Sequence, residues 1–510
     1  ALGANTTAAN NTAVGSGALA TNSTGTGNTA VGQNAGTAIT TGDNNTIIGK
    51  LAGDAITTGD ANVAIGEDAL SAATTADNNT AIGQGAMEAN TTGTNNVAVG
   101  AAALDANTTA SSNTAIGQGS MGATTTGANN AALGAASLFS NTTGASNTAL
   151  GQAALYASTT GDDNTAVGKS ALVTNTTGYG NTAVGKDALY TNATGIRNTA
   201  IGRGALYTNT ESYNVAFGYN ALHANTTGTY NVAVGVQAID ANTTGANNVA
   251  VGYGSLGANT TASNNVALGH QALNANTTGP GNTAVGYTTL DANTTGEYNT
   301  AIGQAAMGAN TTGDNNVAVG SGALDANTTA DHNTAVGGSA LGANTTGAYN
   351  VAVGAYALDA NTDTSNNVAI GYNALTANDA HNNTAVGFEA LDSNSTGTRN
   401  TSVGSQSMAT NSTASDNTGV GYDALRLNTT GAANVAVGAY ALDSNTTASN
   451  NTAVGYNTLA ANQTGAGNVA VGKGALNVNT ADNNVAVGLN ALTVNTSGTN
   501  NIGIGHNALT

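Results

Sequence analysis

The sequence predicts an all-β protein, a parallel β-solenoid (β-roll) of about 30 coils with a 17-residue repeat, built into a fibrous homo-oligomer. Three observations carry that expectation. Asparagine, a strand-like tripeptide and glycine recur from Asn11 through Asn28, Asn45 and Asn62 to Asn501, thirty starts in all. Glycine closes each tripeptide and usually returns ten residues later, and no apolar 3.6-residue period persists, so helix is excluded. Charged residues make up only 7% of the chain. Stacked coils place identical positions about 4.8 Å apart, inside the ~8 Å screening length. A repeated charge would repel its own copies there, whereas Asn and Thr hydrogen-bond up a stack.

The unit is N-[TV]-A-[VI]-G-x-x-A-L-x-A-N-T-T-G-x-x, numbered here as positions 1 to 17; Asn333 to Tyr349 is one copy. Three units, opening at Asn198, Asn367 and Asn468, are one residue short. Positions 2 to 4 read as a strand and roughly 8 to 14 as one or two more, with corners at position 5 and at 15 to 17. The invariant glycine of position 5 is expected to supply a positive-φ corner. Position 4 is always apolar (Val14, Ile48, Leu133, Phe217) and position 9 nearly always Leu or Met (Leu19, Met87, Leu341), so these two are the expected core.

Position 3 is Ala in 26 of the 30 copies, the exceptions being Ile47, Ser402, Gly419 and Gly503. In an extended strand positions 2 and 4 share one face and position 3 takes the other. A solvent-facing residue drifts, as positions 6, 7, 10, 16 and 17 do; position 3 does not. Both faces are therefore expected to be buried, with position 4 in the coil's own core. Position 3 then lies either in a thin roll whose backbone approaches closely across Ala, or against a neighbouring chain. A 17-residue coil has little core of its own, which favours the neighbour and makes Ala284, Ala318, Ala335 and Ala352 candidate inter-chain contacts.

The periodicity predicts one continuous repeat array over residues 1–510. Incomplete repeats at 1–10 and 501–510 suggest a slice of a longer protein. Cysteine is absent, which removes disulfides and thiolate metal sites. The formal charge of −19, with 8 basic and 27 acidic side chains, argues against nucleic acid. No apolar run reaches membrane-spanning length.

Asn at position 12 followed by Thr or Ser at position 14 is a formal N-glycosylation acceptor. The candidates are Asn5, Asn90, Asn107, Asn141, Asn175, Asn225, Asn242, Asn259, Asn276, Asn293, Asn310, Asn327, Asn344, Asn428 and Asn445. An inward Asn ladder with Thr beside it generates the same motif. Two observations favour the ladder. Where position 9 loses its Leu (Gly36, Gly53), position 12 becomes Ile (Ile39, Ile56), as if the core residue had moved. Units lacking Asn at position 12 (Ile39, Ile56, Ala73, Thr124, Ser158) keep Thr at position 14. O-linked sugar on exposed threonines is a further expectation.

Catalysis finds no foothold, and neither a cofactor nor a metal is expected. The five histidines scatter over four unit positions, and no Ser, His and acid set recurs. Asp105, Asp240 and Asp325 share position 10 but read as a solvated edge, and the 16 tyrosines read as exposed turn residues.

The runs Asn96-Val-Ala-Val-Gly100 and Asn367-Val-Ala-Ile-Gly371 resemble the head repeats of trimeric autotransporter adhesins, left-handed parallel β-rolls on bacterial surfaces. The longer word N-T-A-V-G-x-x-A-L-x-x-N-T-T-G is similar to repeats of phage-tail-fibre-like proteins. The resemblance implies an extracellular, non-enzymatic structural fibre: a cell-surface or secreted fibril or a phage tail fibre, associating with itself as a trimer or filament. The alternative function is an adhesin holding host or environmental glycans, which requires an aromatic or charged cluster. Ice binding is a third reading and requires a flat Thr face, which adjacent Thr345 and Thr346 do not make in a strand.

Overall fold

The computed structural model describes residues 1–510. It is an all-β parallel solenoid in which every unit contributes one three-residue strand at positions 2 to 4. The chain divides into two compact units, Ala1–Thr261 and Ala262–Thr510. The first holds β1 to β15, from Thr12–Val14 to Val249–Val251, and the second β16 to β30, from Val266–Leu268 to Ile502–Ile504. Neighbouring strands within each unit pair in parallel with like position on like. In β20 (Thr334–Val336) and β21 (Val351–Val353), Thr334 faces Val351, Ala335 faces Ala352 and Val336 faces Val353.

The further strands expected over positions 8 to 14 do not form. Positions 6 to 11 are consecutive turns, closed by bonds such as Ala340 N–H to Gly337 O (3.3 Å) and Asn344 N–H to Leu341 O (3.2 Å). The cause lies in the backbone. Positions 7, 9 and 17 are left-handed, as at Ser339 (φ 52°), Leu341 (φ 52°) and Tyr349 (φ 60°), and alternating left-handed residues curl a chain that would otherwise extend. These turns still bond from coil to coil: Leu341 donates to Ala357 O at 2.9 Å and Thr345 to Thr362 O at 2.7 Å.

The position-5 glycine behaves as its invariance predicts. Gly337 has φ 138°, and a Cβ there would lie 2.5 Å from the carbonyl of Gly354 in the next coil. Both the dihedral and the stacking distance exclude any other residue.

The strand faces are the reverse of those expected. Position 3 points inward: Ala335 and its copies at 284, 318 and 352 are fully buried. A methyl at Gly419, a position-3 exception, would meet Met408 Cε and Cγ at 3.3 Å, so position 3 packs on the position-9 side chain of the adjacent coil. Position 4 points outward and is buried in none of the thirty units. The thin roll is therefore the arrangement adopted, with room inside the strand for little more than a Cβ. The core consists of small residues at positions 3 and 8 around Leu at position 9, with asparagine at 1 and 12.

Leu at position 9 is held left-handed at about 1–2 kcal/mol, against about 1.5–3 kcal/mol gained by burying it completely. The exceptions show the balance. At Gly36 and Gly53 the strain is relieved and the burial is supplied from elsewhere: Ile39 Cδ1 stands 3.0 Å from where a Gly36 Cβ would be, and Ile56 Cδ1 and Ile47 Cδ1 stand 2.9 Å from that of Gly53. Ile47, the one bulky position-3 residue, fills the space that Leu vacates.

In all three short units the missing residue is the exposed Thr of position 14. Asn209, Asn378 and Asn479 reach the carbonyls of Glu211, Ala380 and Ala481 two residues on, where other units span three. Strand register is unaffected: Thr199 still faces Val215.

Candidate functional site

Two asparagine ladders run up the stack, position 1 through every coil and position 12 through all but the five that lack Asn there. Asn333 Nδ2 and Asn344 Nδ2 both donate to the carbonyl of Gly347, at 2.8 and 2.9 Å, which tie positions 1 and 12 to one acceptor. Up the stack, Asn333 Oδ1 receives the backbone N–H of Asn350 at 2.9 Å. Asn344 Nδ2 also reaches Asn327 Oδ1 at 3.3 Å, and Asn344 Oδ1 receives Asn361 Nδ2 at 2.8 Å. Position 13 adds a hydroxyl ladder, with Thr345 Oγ1 donating to Thr362 O at 3.0 Å.

Among the formal glycosylation acceptors, Asn90, Asn107, Asn141, Asn175, Asn225, Asn242, Asn259, Asn276, Asn293, Asn310, Asn327, Asn344, Asn428 and Asn445 are all completely buried, as the inward ladder expects. A glycan on Nδ2 of Asn344 would replace an amide hydrogen within the ladder and has no route to solvent from a folded coil. Asn5, in the first turn, is exposed.

The ladder explains three of the four orphaned asparagine acceptors. Asn22 Oδ1, Asn107 Oδ1 and Asn141 Oδ1 are buried without a partner, and in each case the next position 12 is not Asn but Ile39, Thr124 or Ser158.

The candidate contacts Ala284, Ala318, Ala335 and Ala352 have no surface to offer a second chain, because the coil's own interior takes them. What faces out is position 4. Val31 is 36% exposed, Ile302 41% and Phe217 52%. Position 2 shares this face and alternates between Thr and Val, whereas position 4 is never polar. Around Thr114, Ile116, Ala131, Leu133, Thr148 and Leu150 the face forms an apolar groove where Ala131 leaves a gap in the position-2 row.

At position 10, Asp325 and Glu88 are exposed, as a solvated edge requires, whereas Asp105 and Asp240 are half-buried, as are Asp291, Asp359 and Asp392. Burial pushes the pKa of Asp105, Asp240, Asp291, Asp359 and Asp392 up, and one oxygen of Asp105 has no partner. No grouping of three or more His, Asp or Glu side chains is arranged to hold a metal ion. Thr345 is committed to its ladder while Thr346 faces solvent.

Tyrosines that look scattered in sequence stack in space. Tyr190, Tyr207 and His223, all at position 10, form a column with ring centroids 4.9 and 5.1 Å apart. Phe139 stacks on Tyr156 at 5.3 Å and Tyr213 on Tyr230 at 5.2 Å. Charges are arranged by the same rule, and position 6 carries Lys169, Lys186 and Arg203 in three successive coils. Aligning the thirty copies by position, rather than scanning for local clusters, is the signal that reveals both.

Continuous polar ladders inside, an apolar row and variable corners outside define a parallel β-solenoid repeat protein. Comparison with protein-family models and with curated proteins finds no match for the chain.

Proposed function

We propose that the protein is a non-enzymatic extracellular structural shaft, of the kind found in surface or secreted fibrils and phage tail fibres, and that it associates laterally with copies of itself. The observation that carries this reading is the outward row at position 4, apolar in thirty copies out of thirty while its neighbour on the same face accepts Thr in sixteen. Thr and Val are equally suited to a solvated strand, so β-propensity alone does not forbid Thr at position 4; a dry contact does.

A second copy is the occupant that fits. It alone repeats at the spacing of the coils and buries every rung. An apolar side chain offers about 100 Å² in all, and the exposed third to half is then roughly 40 Å² per coil. The fifteen coils of one unit present roughly 600 Å², close to the ~800 Å² per partner of a standard interface. The resemblance to adhesin heads and tail fibres favours three copies.

The test is sedimentation of the full chain beside a variant carrying Val319→Thr, Val336→Thr and Val353→Thr. Association of the wild type at micromolar concentration, weakened in the variant, is expected. A monomeric wild type, or an unchanged variant, overturns the reading.

A further inference from the structure

Charges in this chain are few, and the four cations outside residues 164–230 are each answered one coil away at the same repeat position, three by a carboxylate and one by a tyrosine ring. Lys50 and Glu67 share position 6 and meet at 2.9 Å. Arg399 and Asp416 share position 17 at 2.6 Å, and Arg426 and Asp443 share position 10 at 2.9 Å. Lys473 lies over the ring of Tyr456, its position-6 neighbour, at 5.7 Å.

One stretch departs from this rule. Lys169, Lys186 and Arg203 occupy position 6 of three consecutive coils, followed by Tyr219 at position 6 of the fourth. All four are exposed. The only ion pair among them joins Lys186 to Asp187 of its own coil, at 3.5 Å. Arg203 lies over the Tyr219 ring at 5.9 Å. On another corner of the same coils Arg197 sits between Tyr179 and Tyr213, 5.8 and 6.0 Å from their ring centres. Residues 164–230 thus hold four of the chain's eight cations against two acids, Asp187 and Glu211, in a protein of net charge −19. Stacked like charges about 4.8 Å apart repel one another inside the ~8 Å screening length. Acidic rows also occur, at position 16 (Asp43, Asp60, Asp77 and Glu297, Asp314, Asp331), but there the carboxylates of Asp43, Asp60, Asp77, Asp314 and Asp331 each accept a backbone N–H of the coil before, at 2.6 to 2.8 Å. The basic row has no such bonds, and an external row of anions would relieve its repulsion.

We infer that the position-6 corner from Lys169 to Tyr219 is a binding strip for a linear acidic polysaccharide lying along the stack. Carboxylate or sulfate groups pair with Lys169, Lys186 and Arg203, and Tyr219 receives a sugar face beyond them. A polysaccharide fits better than a nucleic acid for two reasons. The strip is one residue wide, with Asp187 beside Lys186, so a duplex laid across it finds three cations in a single row and a carboxylate next to them. Single-stranded bases need a succession of open aromatic faces; the strip has one ring, Tyr219, with Arg203 over one face of it, and the rings of Tyr190, Tyr207, Tyr213 and Tyr230 on the other corners are stacked on one another. The inference does not depend on the shaft reading: a monomer can carry the strip.

The experiment compares the full chain with two triple variants of equal net charge, by calorimetry against oligogalacturonate, with dextran and a single-stranded DNA oligomer as further probes. Lys169→Gln with Lys186→Gln and Arg203→Gln is expected to weaken oligogalacturonate binding by about tenfold or more. Lys50→Gln with Arg399→Gln and Arg426→Gln is expected to leave it unchanged. Equal losses in both variants, DNA bound as tightly as oligogalacturonate, or wild-type binding no better than to dextran would each overturn the proposal.

Discussion

Replacing Ser158 by Asn tests whether the position-12 ladder stabilises the fold. Ser158 Oγ and Asn141 Oδ1 are both buried without partners. Asn141 Nδ2 donates to Gly144 O at 2.9 Å and to Thr124 Oγ1 at 3.4 Å, and Asn175 Nδ2 donates to Gly178 O at 2.9 Å, but neither side chain bonds to residue 158 between them. An Asn at 158 would donate to Asn141 Oδ1 and to Gly161 O and accept from Asn175 Nδ2, as Asn344 does between Asn327 and Asn361. Supplying a partner to a buried acceptor is worth about 1–3 kcal/mol, and fixing one more side chain costs up to about 1 kcal/mol. A net gain of about 1–2 kcal/mol corresponds to a factor of roughly 5–30 in the local opening equilibrium. Because a solenoid opens coil by coil, a single melting temperature averages this away. Native-state hydrogen exchange at Thr142 and Thr159, whose amides cross between the affected coils, reads it directly. Ser158→Ala is the control, since it removes the hydroxyl but leaves Asn141 unpartnered. If the Asn variant is no better protected than the Ala variant, the ladder is not a source of stability.

Two other perturbations have defined outcomes. Gly337→Ala places a Cβ 2.5 Å from the Gly354 carbonyl at φ 138°; a loss of at least ~2 kcal/mol is expected, seen as new proteolytic cleavage near this corner, and intact resistance would show that the coils separate more easily than their stacking implies. Asp105, whose pKa is raised by burial, binds its proton more tightly in the folded than in the unfolded chain. Stability therefore increases as pH falls through the window just above 3.8, the ordinary Asp value, and the penalty is fully present at neutral pH. Asp105→Asn is expected to slow exchange of its coil at neutral pH and to remove that dependence, and an unchanged pH profile would refute the assignment.

The repeat length, the glycine corner and the inward Asn of position 12 were legible because each leaves a mark in the copies: invariance, or the exchange of Leu for Ile between positions 9 and 12. The orientation of the strand was not. Alternation places Ala335 and Val336 on opposite faces without saying which is inside, and the larger side chain is the natural choice for a core. Position 3 itself held the contrary signal, since tolerance of Ala and almost nothing larger describes a space bounded by Leu341 and its copies rather than by a partner. The turns at positions 7 and 9 were hidden for another reason. Left-handed residues usually announce themselves as glycine, but here Ser339 and Leu341 adopt that conformation because neighbouring coils and core burial over-determine it.

The fixed and free positions also follow from where the hydrogen bonds are anchored. Positions 1, 12 and 13, and position 16 where it is Asp or Ser, bond through their side chains to an adjacent coil, whereas positions 6 and 17 are held to neighbouring coils mainly by backbone groups. Changing a side chain at those corners leaves the ladders intact, as does deleting position 14 altogether. Corner residues are thus selected without much reference to stability, and like charges are the exception, since adjacent copies repel by about 1 kcal/mol even in water. The run Lys169, Lys186, Arg203 carries that cost twice over where Gln, as at Gln152 one coil earlier, would carry none. A stack that is indifferent to most corner residues and penalises this one directs attention to what lies outside the chain.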